Sequence, residues 1–170
     1  MIRSYIQIVF PVFVLVQLLF TGCSFKLDDA DAYGNRGLAY AMKGNHDRTI
    51  ADCTEAIRLN PNYLDAYNNR GNAHGFKRDY DLAIADYKEV IRLNPNDPEA
   101  YSNRGNAYNG KGDYNLAIAD YTQAIRLKPD YANAYINRAS AYQKKGELVK
   151  AQSDRQMYVK LKGPITVRLE

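Results

Sequence analysis

The chain of 170 residues repeats itself with a period of 34 residues. Pro61, Pro95 and Pro129 each lie in a Leu-Asn/Lys-Pro-Asn/Asp context, and the residues between them keep the same register. A fixed period of this length is typical of a supersecondary unit that cannot bury its own apolar face and therefore stacks on copies of itself. The repeat predicts a stacked array, whose function is expected on a surface rather than in a catalytic cleft.

The units follow one another without gaps when each is counted to two residues past its proline. Three complete units are followed by an imperfect fourth, in which Pro164 falls one residue late. The predicted repeat boundaries are 30–63, 64–97, 98–131 and 132–163. A signal-like segment, 1–22, and a short linker, 23–29, precede the array, and a tail, 164–170, follows it.

Within each unit, numbered from position 1 to position 34, the apolar and small residues recur at helical spacings. Positions 4, 8 and 11 fall on one face of a first helix, and positions 20, 24 and 27 fall on one face of a second. A short polar or glycine turn separates the two halves. The proline ends the second helix, because the residue before a proline disfavours the helical conformation. Each unit is therefore predicted to be a helical hairpin, which gives about eight helices.

This pattern resembles the tetratricopeptide repeat. That signature has aromatic residues at positions 4, 11 and 24, a small residue at 8, alanine at 20 and 27, and proline at 32. The unit 98–131 matches at every one of these positions, whereas 30–63 departs at Thr49 and Cys53, and 132–163 departs at Arg155. The resemblance implies an all-α, right-handed α-solenoid of helix-turn-helix hairpins, with the degenerate fourth unit as a polar cap.

The segment 1–22 has the layout of an export signal. Arg3 supplies an early positive charge, and the stretch from Ile6 to Phe20 is apolar except at two positions. A membrane span needs about 20 apolar residues, so this stretch is short for one. The sequence predicts export, and an uncleaved anchor or an ordinary secretory signal stays open beside the lipoprotein reading that follows.

Residues 19–23, Leu-Phe-Thr-Gly-Cys, resemble a bacterial lipobox. The resemblance implies cleavage before Cys23 and a diacylglyceryl group on its thiol. Ser24, directly after the cysteine, resembles outer-membrane sorting in an organism with two membranes. We therefore expect a lipoprotein on the periplasmic face of the outer membrane or on the cell surface, with the first repeat near the bilayer. Cys53 is expected to be a buried free thiol.

Charge and motif content argue against several functions. Without Arg3, 22 Lys and Arg oppose 19 Asp and Glu, so the net charge is 22 − 19 = +3, and the basic residues are interspersed with acidic ones. No nucleic-acid partner is expected from this pattern. His46 and His74 have no companion at a catalytic or metal-ligand spacing, and the chain has no phosphate loop or nucleophile elbow. We expect no enzyme, cofactor, metal or small-molecule substrate.

An arginine at position 7 and an aspartate at position 23 recur in all four units, 16 residues apart. The arginines are Arg36, Arg70, Arg104 and Arg138, and the aspartates are Asp52, Asp86, Asp120 and Asp154. We interpret them as a structural ladder of ion pairs, within each hairpin or to its neighbour. The alternative is that the arginines bind an acidic ligand.

The resemblance implies that the first helices line a concave face through positions 2, 5, 6, 9, 12 and 13. These positions are rich in asparagine, which is a poor helix former, and its amide can pair with the main chain of an extended peptide. The candidate groove residues are Asn68, Asn69, Asn72, Asn103, Asn106, Asn109, Asn137 and Phe76. Position 9 varies among units, as a ligand surface would. Alternatively, the amides bond to each other and orient the stack.

The predicted function is an envelope scaffold or adaptor that binds a partner protein or peptide in the concave groove. Position 2 is acidic in three units, at Asp31, Asp65 and Glu99, so a clamp for a free carboxylate is not expected. The alternative is a structural or pilot lipoprotein subunit of an envelope assembly, such as pilus or outer-membrane machinery.

Overall fold

The structure, a computed structural model, describes residues 29–163. The predicted signal segment 1–22, the predicted lipidation site Cys23 and the predicted tail 164–170 lie outside the described residues. Within 29–163 the chain forms eight α-helices and no strand. The helices are α1 (Ala30–Met42), α2 (His46–Leu59), α3 (Leu64–Lys77), α4 (Tyr80–Leu93), α5 (Pro98–Lys111), α6 (Tyr114–Leu127), α7 (Ala132–Lys144) and α8 (Leu148–Lys162).

The helices pack in chain order as four hairpins. The second helix of each hairpin also packs against the first helix of the next one. Neighbouring first helices, α1, α3, α5 and α7, approach each other within 8 Å, whereas the described second helices do not. The first helices therefore line the inner side of the stack, and the second helices form its outer side. This arrangement confirms the α-solenoid that was predicted from the repeat.

The helices end at the turn residues and prolines that the sequence predicts. α2, α4 and α6 each end two residues before the proline of their unit. The turn inside each hairpin places position 15 in the left-handed region, where glycine is favoured. Gly112 has φ +95° there, and the second hairpin uses Arg78 at φ +65° at the equivalent position. The turn geometry is thus common to the hairpins even where the glycine is missing.

The small residue at position 8 allows the two helices of a hairpin to approach closely. A Cβ on Gly105 would lie 2.8 Å from the Tyr121 ring, and one on Gly71 would lie 3.0 Å from the Tyr87 ring. Both distances are shorter than a normal carbon contact. The fourth hairpin has an alanine at this position, and it carries Arg155 rather than an aromatic residue at position 24. The small residue and the residue at position 24 therefore pack as a pair.

The first hairpin accommodates its departures from the repeat pattern. Thr49 is fully buried, and its hydroxyl donates to the carbonyl oxygens of Asn45 at 3.0 Å and Gly37 at 3.3 Å. Cys53 is also fully buried and is a free thiol, as expected from the sequence. Burial raises the pKa of this thiol to about 11. The thiol is therefore protonated at neutral pH.

Candidate functional site

Each arginine at position 7 forms a paired hydrogen bond with the aspartate at position 23 of its own hairpin. The shortest nitrogen–oxygen distance is 2.6 Å for Arg36–Asp52 and 2.7 Å for the other three pairs. The aspartate side chains are between 5% and 9% exposed, so these carboxylates are desolvated. The hydrogen bonds to Asp120 raise the pKa of Arg104 and keep it charged, although burial acts in the opposite direction.

Two of these arginines also reach the preceding hairpin. Arg70 donates to the Thr54 hydroxyl at 3.1 Å, and Arg138 donates to the Thr122 hydroxyl at 3.0 Å. Thr54 and Thr122 are both at position 25 of their units. In the hairpin that precedes Arg104, position 25 is Lys88, whose charged amine cannot accept a hydrogen bond. The guanidinium groups are thus occupied by the protein itself, which favours the structural interpretation of the ladder over a binding site for an acidic ligand.

A second set of ion pairs joins neighbouring hairpins and was not anticipated. The Lys77 Nζ atom lies 2.5 Å from Oδ1 of Asp47, and the Lys111 Nζ atom lies 2.6 Å from Oδ1 of Asp81. Each lysine is at position 14 of its unit, and each aspartate is at position 18 of the unit before. The signal in the sequence was a lysine at position 14 of every unit, separated by 30 residues from its partner.

Two of the candidate groove asparagines are bound by tyrosines of their own hairpin. The hydroxyl of Tyr87 donates to the amide oxygen of Asn72 at 2.7 Å, and that of Tyr121 donates to Asn106 at 2.8 Å. Both hydroxyls are protonated donors at neutral pH, and burial raises the pKa of both tyrosines further. Where position 24 is Cys53, position 9 is a leucine. The variation at position 9, which we interpreted as typical of a ligand surface, therefore follows the residue at position 24.

The asparagines at positions 6 and 12 divide into two groups. Asn137 donates to the amide oxygen of Asn106 at 3.0 Å, and Asn109 accepts from Lys144 at 3.5 Å. These contacts join α5 to α7, as in the stack-orienting alternative. Asn69 and Asn103 make no side-chain hydrogen bond in the part of the chain that the structure describes. Their amide groups therefore remain able to bind a ligand.

Two adjoining pockets open beside the first helices, one lined by residues of α1, α3 and α5 and the other by residues of α3, α4 and α5. We call the first, of about 380 Å³, the polar pocket; its lining is Gly34, Asn35, Leu38, Tyr63, Asp65, Asn68, Asn69, Asn72, Glu99 and Asn103. We call the second, of about 260 Å³, the aromatic pocket; its lining is Asn72, Gly75, Phe76, Tyr80, Tyr87, Asn103, Asn106 and Ala107. They share Asn72 and Asn103, and together we call them the groove.

The groove brings together six of the eight candidate residues: Asn68, Asn69, Asn72, Asn103, Asn106 and Phe76. Asn109 and Asn137 lie outside both pockets. Phe76 is 75% exposed and stacks on His46, with 4.9 Å between ring centroids. Tyr80 and Tyr87 were not among the candidates, because their positions in the repeat are packing positions. An exposed Phe76 at a variable position was the sequence signal that could have pointed to them.

The hairpin stack and its exposed inner groove define an α-solenoid interaction scaffold. Within residues 29–163, no helix combines the length and the apolar character needed to cross a bilayer. One family model described as TPR repeat matches residues 78–112 and 105–146, and two described as tetratricopeptide repeat match 30–63 and 53–85. The matches together extend over 30–146. The chain belongs to the tetratricopeptide repeat family, and this class points to a non-catalytic domain that binds other proteins.

The fold is similar to solved structures of MamA. One of these, from residue 41 to the end of MamA of Desulfovibrio magneticus RS-1, is 22% identical, with a TM-score of 0.77 over 81% of this chain and 77% of that chain. A second MamA crystal structure is 23% identical, with a TM-score of 0.77 over 81% of this chain and 80% of that chain. At such identities the likeness shows the fold alone. A comparison with curated proteins gives no match.

Proposed function

We propose that this protein is an envelope adaptor that holds an extended segment of a partner protein in the groove. The observation that carries the proposal is the pair of unbonded amides, Asn69 and Asn103, beside the exposed ring of Phe76. Amide side chains can donate to and accept from a peptide backbone. Family membership and the inner position of the groove support a protein partner.

Binding of this kind needs several contacts at once. A hydrogen bond contributes only about 0.5–1.5 kcal/mol net, and burying a phenylalanine side chain contributes about 1.5–3 kcal/mol. Micromolar affinity requires about 8 kcal/mol. We therefore expect a partner segment long enough to occupy both pockets, and single substitutions should weaken binding without abolishing it.

The test is a crosslinking pull-down from envelope fractions with the full chain. The triple variant Asn69→Ala, Asn103→Ala and Phe76→Ala should lose its partner while keeping its melting temperature, since all three side chains lie at the surface of the groove. The matched control is Asn115→Ala, on the second helix α6, which should retain the partner. Equal recovery of the partner by the triple variant and the control would rule out binding in the groove.

The envelope location is part of the proposal and depends on the sequence of residues 19–23. Lipidation of Cys23 would leave about seven residues before α1, a reach of at most roughly 25 Å, so the groove would lie close to the membrane. Mass spectrometry of the mature N-terminus should find a lipid-modified cysteine in the natural chain and none in Cys23→Ser. An unmodified Cys23, or a chain that retains residues 1–22, would contradict the lipoprotein assignment.

A structural role in an envelope assembly is the second candidate. The observation that favours it is the exposed apolar surface of the last described helix, α8, where Leu148 is 64% exposed and Val149 is 86% exposed. An assembly subunit would use this surface rather than the groove. Leu148→Lys with Val149→Lys should then release the chain from its assembly, whereas the groove triple variant should remain bound. The adaptor proposal expects the opposite pair of results.

A further inference from the structure

The two pockets of the groove differ in chemistry. Asp65 and Glu99 line the polar pocket, both are exposed, and neither forms an ion pair within the described residues. The aromatic pocket offers Phe76 and Tyr80 and has no charged residue in its lining. No lysine or arginine lines either pocket. A bound segment therefore meets two carboxylates and the Tyr63 ring at one end of the groove, and aromatic rings without a charged residue at the other.

The acidic end of the groove is open because one tyrosine of the repeat is missing. At position 34, Tyr63 covers Gly34, where an added Cβ would lie 2.6 Å from the ring. Tyr131, at the same position of the third unit, is hydrogen-bonded to Ser102. The second unit has Asp97 instead, and its carboxylate accepts from the backbone N–H of Glu99 at 2.9 Å, as a cap of α5. The second unit therefore has no tyrosine at this position, and the aromatic ring in the lining of the polar pocket is that of Tyr63.

The polar pocket also contains an acceptor without a donor. The amide oxygen of Asn68 is buried, and no donor in the described part of the chain reaches it. Leaving such an oxygen unbonded is unfavourable. Rotation of the amide toward the pocket would allow a bound N–H group to satisfy it. A donor that is also positively charged would, in addition, offset half of the negative charge of the two carboxylates.

Close packing does not explain the glycine at position 75, which lines the aromatic pocket. A Cβ on Gly75 would meet nothing within 4 Å, in contrast to Gly110, where it would lie 2.5 Å from the Tyr80 ring. Glycine is disfavoured inside helices. At Gly75 it leaves the space beside Phe76 open, and that space can admit an apolar or aromatic side chain of a partner.

We propose that the groove selects a segment with a lysine or arginine side chain in the polar pocket and an apolar or aromatic side chain in the aromatic pocket. This inference rests on the proposed function and specifies the chemistry of its ligand. The partner strand is cationic where it meets Asp65 and Glu99, and its main chain lies along Asn69 and Asn103. The preference is expected to weaken as salt increases, because the carboxylates are exposed.

The probes are two pools of synthetic 12-residue peptides with an Ala/Ser/Thr background. One pool carries a fixed Lys and a fixed Phe separated by one to four residues, and the other replaces Lys with Glu. Fluorescence anisotropy at low salt should show that the Lys pool binds the full chain at least tenfold more tightly than the Glu pool does. Asp65→Asn with Glu99→Gln should reduce that ratio to about one. Asp130→Asn, in the turn between α6 and α7, should leave it unchanged.

The possible outcomes separate the selectivity from the groove itself. If the Glu pool binds as tightly as the Lys pool, and both are weakened by the groove triple variant, the selectivity is wrong and the groove function stands. If the Lys pool binds equally well to the triple variant, both proposals are wrong. The absence of Lys-pool binding at peptide concentrations up to the millimolar range also overturns the selectivity, while the pull-down decides the groove function separately. Circular dichroism of the charge variants confirms that they fold.

Discussion

At the scale of single residues, breaking a buried Arg–Asp pair is expected to destabilise its hairpin strongly. Arg104→Ala would leave Asp120, which is 9% exposed, without its partner. Breaking such a buried pair costs about 3–5 kcal/mol, whereas removing both partners costs less than the sum of the single changes. A double-mutant cycle measured by urea unfolding should therefore show a coupling energy well above zero. Additive effects would contradict the ion-pair account.

The same cycle at Arg36 and Asp52 is the matched comparison. Arg36 belongs to the first hairpin within the described residues 29–163 and is 47% exposed, so solvent screens its charge. An exposed pair contributes about 0–1 kcal/mol. The coupling energy should be clearly smaller than for Arg104 and Asp120, although the distances in the two pairs are nearly equal.

The buried thiol predicts a dependence of stability on alkaline pH. The pKa of Cys53 is raised from 9.0 to about 11 in the folded chain. Below pH 9 the thiol is protonated in both the folded and unfolded states, so its contribution is fully present. Between about pH 9 and 11 the unfolded state loses the proton first, and this contribution to stability is lost as pH rises. The difference in unfolding free energy between the natural chain and Cys53→Ala should shrink over this window.

Alkylation offers an independent readout of the same residue. Because the thiol is buried and protonated, iodoacetamide at pH 8 should modify Cys53 in the native chain far more slowly than in urea. In the pH-dependence experiment, the raised pKa values of Tyr87 and Tyr121 also affect stability at alkaline pH. Both tyrosines are present in the natural chain and in Cys53→Ala, so their contributions cancel in that difference. Equal alkylation rates in native and unfolded chains would show that Cys53 is accessible.

Residue roles were only partly predictable from the sequence. The recurrence of arginine and aspartate 16 residues apart indicated a pair, because both residue types were visible and unchanged in every unit. The role of Asn72 was not visible, since its hydrogen bond comes from Tyr87 on another helix. A polar side chain that faces both a neighbouring helix and a groove has two interpretations until its partner is located.

At the scale of the helices, two glycines that both lie inside first helices, Gly105 and Gly75, should respond oppositely to alanine. Gly105→Ala would place a Cβ 2.8 Å from the ring of Tyr121, which is fully buried and held by Asn106. The ring cannot move freely, so we expect a loss of about 1–3 kcal/mol. Thermal unfolding of the variant should show a lower melting temperature than that of the natural chain.

Gly75→Ala is the control for this effect. Its Cβ would enter open space, and alanine is favoured over glycine in helices by up to about 1 kcal/mol. The melting temperature should stay the same or rise, while peptide binding in the aromatic pocket should weaken. A marked destabilisation would mean that Gly75 has a packing role that its surroundings do not show.

The helices themselves were largely predictable, because their signals are local. The period, the turn residues and the prolines locate each helix within the repeat. The resemblance to the tetratricopeptide repeat implied which helices form the inner and outer sides of the stack. The structure gives the physical basis, because neighbouring first helices contact each other and the described second helices do not. The lysine–aspartate links between hairpins were missed because each joins two different units, 30 residues apart.

At the scale of the whole molecule, the stack combines a regular framework with an irregular inner surface. Each hairpin contacts only its neighbours, so stability is distributed along the array. The groove includes positions at which the repeat varies, among them Phe76 and Gly75, and Asp97 replaces the tyrosine of the first and third units just before α5. We infer that the framework positions maintain the solenoid while these departures determine what it binds.

The central claim is that a partner protein binds in the groove on the inner side of the stack. Photocrosslinking in intact cells tests it most directly, with a photoreactive amino acid placed at Asn103 in one variant and at Asn115 in another. Asn103 lines both pockets, whereas Asn115 lies on the outer helix α6. The account predicts a discrete protein adduct from position 103 and only background from position 115. Adducts from position 115 with none from position 103 would contradict it.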